Sequence, residues 1–182
     1  MQANLLDEAQ ELADRSVAEV DEAEGELDLA LSLLVAAEAH IERGDIEGGI
    51  AAAGRSVDAF VDRERPAWAA LATAVLLRAR ASQAPTAELA DEVAANAVTL
   101  EALGCRTDAV RANLLAAELR VGLGDLDGAD ALLRRAGRHV RSTVVHQPSA
   151  LRVRALIEAA RGNRAGARRA VNLGVRILGA TP

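Results

Sequence analysis

The sequence predicts an all-α fold: an α-α superhelix of stacked antiparallel helix hairpins, with about nine helices. Three observations lead there. The first is a recurring motif. Gly44-Asp45-Ile46-Glu47-Gly48-Gly49, Gly124-Asp125-Leu126-Asp127-Gly128-Ala129 and Gly162-Asn163-Arg164-Ala165-Gly166-Ala167 begin 80 and then 38 residues apart. A further breaker, Ser82-Gln83-Ala84-Pro85, sits midway through the longer interval, so a hinge falls about every 40 residues. Helix-pair solenoids repeat at about 34 to 47 residues. The second observation is composition. Half the chain is apolar, nearly all Ala, Leu and Val, with one Phe, one Trp and no Tyr. Ala and Leu favour helices, and the aromatic, β-branched runs of strands are missing. The third is a ladder of small residues at fixed offsets from the hinge glycines: Ala37, Ala117 and Ala155 before them, then Gly49, Ala129 and Ala167, then Ser56, Ala136 and Gly174. Small residues in register let neighbouring helices approach closely.

Each hinge has a local cause. Gly takes the left-handed conformation that ends a helix, and the Asp or Asn after it caps the next helix with its side-chain oxygen. Gly44 and Asp45, Gly124 and Asp125, and Gly162 and Asn163 are therefore expected to form turns. Gly49, Ala129 and Ala167 are the expected packing positions just beyond them.

Residues 1–26 read as an acidic N-terminal helix, a cap or half repeat. Its apolar stripe is Leu5, Leu6, Ala9, Leu12, Ala13, Val17 and Val20, spaced by three and four. Residues 27–182 divide into four hairpins, 27–63, 66–104, 107–141 and 148–179. Their helices are Leu27–Arg43 with Ile46–Asp62, Pro66–Ala81 with Thr86–Leu103, Thr107–Leu123 with Leu126–Val140, and Pro148–Arg161 with Ala165–Leu178. Pro66, Pro85 and Pro148 stand at helix starts, where a missing N–H costs nothing. Thr86, with Glu88 in the first turn, suits a helix start, and Gly104 suits its end. Trp68 and Phe60 are expected in the core or groove of the first two hairpins, as is His40.

Charge is uneven. Residues 1–133 carry 26 acids and 10 Arg, a net of −16; residues 134–182 carry 11 Arg and one acid, Glu158, a net of +10. Solvated helix faces account for such a split. So does a basic end that docks an acidic partner, another protomer or a following domain; Arg134, Arg135, Arg138 and Arg141 are the candidate docking residues. Nucleic acid ranks below both, because neither stacking aromatics nor a helix-turn-helix signature accompanies the arginines. Every basic residue is Arg, as a GC-rich genome would produce.

The lone Cys105 excludes an intramolecular disulfide framework and a CxxC metal site. No uncharged apolar run reaches the length of a membrane span, and the acidic N-terminus does not read as a signal peptide, so a bacterial cytoplasm and no membrane partner are expected. No phosphate-binding loop, zinc-protease helix, nucleophile elbow or dinucleotide glycine pattern occurs. His139 and His146 flank an irregular stretch but have no orienting group that would pair them with Cys105. No catalytic, cofactor or metal role is expected, and the chain does not read as an enzyme.

Three segments resemble a known family. Arg65-Pro66-Ala67-Trp68-Ala69-Ala70-Leu71-Ala72, the run Ala109–Leu126 and the Arg-rich run Leu151–Leu178 are similar to the helical-repeat regions of actinobacterial CHAT-domain proteins. Those proteins carry tetratricopeptide-like repeats followed by a caspase-like peptidase domain. The resemblance covers about residues 60–180. It implies a protein–protein interaction scaffold that recruits partners for, or regulates, a caspase-like peptidase, in cis or in trans. The family's catalytic His and Cys belong to the peptidase domain, which this sequence does not include, so none is carried over. The hairpins are longer than the 34-residue tetratricopeptide unit, and most consensus aromatic positions hold Ala, Leu or Val. The alternative is a self-associating helical-repeat protein in which the acidic N-terminal end of one copy meets the Arg-rich C-terminal end of the next, giving a homo-oligomer.

Overall fold

The computed structural model describes residues 10–12, 14, 15, 17, 26–140 and 146–179. Among them the regular structure is entirely helical. α1 is helical at every described position of 10–17. It is followed by α2 (Glu26–Arg43), α3 (Ile46–Asp62), α4 (Pro66–Gln83), α5 (Ala87–Ala102), α6 (Arg106–Gly122), α7 (Leu126–Val140), α8 (Gln147–Ala160) and α9 (Arg164–Gly179). The α3 and α7 limits are those the sequence predicts, and the others agree within two residues. The rest of the acidic segment at 1–26, with the connection at 141–145, lies outside the described residues.

The chain forms two compact units, Met1–Ala84 and Pro85–Pro182, and the boundary falls at the expected hinge around residue 84. It passes between α4 and α5, inside the segment 66–104. In the first unit α2 packs on α3, α3 on α4, and α2 on α4. In the second unit α5 through α9 pack each on the next, and α6 also meets α8. Consecutive pairs with an added contact between alternate helices make each unit an all-α helical repeat.

The reversals share one design. Gly44, Gly104, Gly124 and Gly162 have φ of 84°, 82°, 82° and 77°, and Glu64 takes the same place at 53°. At each, the left-handed residue donates its N–H three residues back and the next residue donates five back. Gly124 N–H meets Val121 O at 3.1 Å and Asp125 N–H meets Arg120 O at 2.9 Å; Glu64 and Arg65 repeat this onto Val61 and Phe60. These are Schellman ends, which satisfy carbonyls the helix leaves open. The break at Ala84 differs: its backbone is extended, φ −151°, and Thr86 caps α5 by accepting from Leu89 N–H at 3.1 Å.

The small-residue ladder is the seam of each unit. Eight of its nine positions are buried, and Ala167 is half-buried. In the second unit Val110, Leu114 and Ala117 of α6, Ala129, Leu133 and Ala136 of α7, and Val153 and Ile157 of α8 form one core. In the first unit Phe60 packs with Ala30 and Ala72, and Ala37 with Ala52 and Ala53. Ser56 stands where the later hairpins have Ala136 and Gly174; fully buried, it donates to Ala30 O at 2.8 Å. Trp68 stacks on Phe60 at 5.7 Å yet remains 43% exposed.

Candidate protein-docking groove

The hinge motif proves to be a fastener. Asp45, Asp125 and Asn163 each accept from the N–H three residues on, at Gly48 (3.0 Å), Gly128 (2.9 Å) and Gly166 (3.0 Å). The capping side chain lies over that glycine, where a Cβ would collide with it. This explains the second Gly of the motif. The same cap reaches back to the helix it follows. Asp45 Oδ2 meets His40 Nδ1 at 2.8 Å, Asp125 pairs with Arg120, and Asn163 Nδ2 donates to Glu158 Oε2 at 2.7 Å. Each pair joins residues five apart across the reversal, and polarity inverts in the last copy. The Gly48 and Gly128 N–H groups, helped by His40 and Arg120, hold the Asp45 and Asp125 carboxyls below the usual range. These residues are consumed by structure.

His40 is a polar junction. Besides Asp45 it meets Gln10 Nε2 at 2.9 Å and, through Nε2, Asp14 at 3.5 Å, while Arg43 donates to Gln10 Oε1 at 2.6 Å. An acidic helix thus lies on basic residues of α2.

Further ion pairs tie alternate helices together: Arg78 to Glu38, Arg135 to Glu101 at 2.8 Å, and Arg152 to Glu118. Glu101–Arg135, Glu118–Arg152 and Asp127–Arg161 all span 34 residues. Burial pushes the Glu118 carboxyl up against the opposing pull of Arg152.

The second unit also carries a groove of about 910 Å³. Its floor is apolar: Leu133 of α7, Ala150 and Leu151 of α8, and Leu173 and Ile177 of α9. Its rim is basic: Arg134 and Arg138 of α7, one turn apart, face Arg154 of α8. Asp130 is the counter-charge, 2.7 Å from Arg134 and 3.4 Å from Arg154. Arg134 is still 66% exposed, and no described residue pairs with Arg138. A Cβ built on Gly137 meets open space. α9 shapes the groove because it packs on α8 through Gly166, Ala170 and Gly174, and Gly174 brings it against Leu151. The four candidate arginines therefore separate. Arg134 and Arg138 line the groove, Arg135 is taken by Glu101, and Arg141 lies outside the described residues. Arg154, Leu173 and Ile177 have no motif to announce them. The i, i+4 spacing of Arg134 and Arg138 was a readable sign that those two share a face.

Among the described residues no helix is long and apolar enough to cross a membrane, and no group of three or more His, Cys, Asp or Glu is placed to hold a metal. Fold and groove define the class as an all-α helical repeat with a basic, apolar-floored cleft. No family model, curated protein or solved structure matches this chain.

Proposed function

We propose that this protein is a protein–protein interaction scaffold whose groove between α7, α8 and α9 receives a partner. The observation that carries the reading is the groove itself, an apolar floor bordered by three arginines, two of which share Asp130. Apolar area supplies affinity, and a charged rim supplies orientation and rate of encounter. Helical repeats present such surfaces without chemistry of their own. The resemblance of residues 60–180 to CHAT-associated repeats makes a caspase-like peptidase domain, in cis or in trans, the first partner to try.

The test is affinity purification from the source cells with wild-type protein beside Arg134→Glu/Arg138→Glu. A protein retained by the wild type and lost from the variant is the expected result. Recovery of no protein, or of the same set from both, contradicts the reading. Calorimetric titration with a purified caspase-like peptidase domain tests the narrower claim, and absence of heat there removes that partner alone.

A further inference from the structure

We infer that the groove takes an acidic amphipathic helix supplied by a partner protein. Its apolar stripe would rest on Leu133, Leu151, Leu173 and Ile177, and its carboxylates on Arg134, Arg138 and Arg154. The inference rests on the scaffold reading and names the occupant.

Five observations select a helix of this chemistry. The groove walls are three helices whose mid-helix backbone donors and acceptors are already used, so an extended segment finds no edge to pair with. A helix arrives with its own backbone satisfied. The volume suits it: about 910 Å³ is that of roughly two turns of a helix some 10 Å across. The charge suits it too. Arg134 is 66% exposed while Asp130 beneath it is only 14% exposed, so a partner carboxylate meets the outward side of Arg134 and the exposed Arg138 with the Asp130 pairs left in place. Gly137 leaves room for a partner side chain beside Arg138. Finally, the protein already holds one acidic helix in cis, α1, through Gln10 and Asp14 on His40 and Arg43.

The same features set the alternatives aside. Nucleic acid would want bases stacked on aromatics, and the groove has none. A second copy offering α1 would present a helix whose Gln10 and Asp14 are already engaged with α2 of its own chain.

The test uses the full-length protein and a fluorescent peptide of about five helical turns, with Leu in one stripe and Glu on the remaining faces. Anisotropy should show saturable binding that weakens with salt. A peptide of equal composition with its leucines scattered should bind about tenfold or more weakly. Arg134→Glu/Arg138→Glu should cause a loss of the same order. Gly137→Phe, which fills the groove without touching the core, should do likewise while thermal unfolding stays cooperative. Equal binding of the scattered peptide, or indifference to Gly137→Phe, overturns the inference. So does displacement of the peptide by an oligonucleotide or phosphatidylserine vesicles of matched charge. Sedimentation showing self-association that the same variants abolish also overturns it, in favour of a second copy. If the peptide fails while a purified partner binds independently of the groove variants, this inference falls and the scaffold reading survives. If partner binding fails as well, both fall.

Discussion

Gly124 and Gly137 carry opposite expectations: one lies just before helix α7 and the other within it. Gly124 sits at φ 82°, and Gly137 is in a helix with open space around its Cβ position. The left-handed conformation costs a non-glycine residue about 1–2 kcal/mol, whereas Ala in an exposed helix gains about 0.4–1 kcal/mol over Gly. Gly124→Ala should therefore lower the urea midpoint and Gly137→Ala should raise it. The capping aspartates give a pH prediction. Their carboxyls are held low in the folded chain, so their contribution is complete above the ordinary carboxylate pKa of about 4 and is lost as pH falls through the lower folded value. Asn163 already does the same capping uncharged. Asp45→Asn/Asp125→Asn should keep the helices and flatten the acid limb of stability against pH. An unchanged acid limb would contradict the assignment.

Helix against helix, the small-residue seam and one buried histidine make the sharper claims. Ala136 is fully buried between α6 and α8, whereas Ala167 is only half-buried. Ala136→Leu should cost about 1–3 kcal/mol by overpacking, and Ala167→Leu clearly less, as read by chemical denaturation. His146, at the start of α8, is 5% exposed and its Nε2 has no hydrogen-bond partner. Burial, aided by Arg111 and opposed by Asp108, pushes its pKa down. Folding thus disfavours the imidazolium. Stability should be complete above the usual histidine value of about 6.5 and decline as pH drops below it, an effect that His146→Phe should remove. The helices themselves were legible because Gly, Pro and capping residues mark their ends by local physics. Glu64 was not, since a strained non-glycine residue leaves no compositional mark. The assembly of Leu173 and Arg154 with Arg138 was hidden as well, because it depends on how α9 closes on α8 through glycines.

For the molecule as a whole, a net charge of −6 conceals a basic C-terminal segment in an acidic chain. Some of that charge is spent inside the second unit on Glu101, Glu118 and Asp127. The pattern of sequence charge alone could not say which arginines were spent. Arg134, Arg138 and Arg154 line the groove, whereas Arg164, Arg168, Arg169 and Arg176 stand exposed on α9 outside its lining; exposed charges act over about 10 Å at 0.1 M salt. The most direct test is an amide NMR titration of the labelled full-length protein with the acidic amphipathic peptide. The predicted shifts concentrate at residues 133–138, 147–154 and 173–177. Shifts centred on α2 and α4, or spread evenly over the arginines, would contradict the assignment of the docking surface.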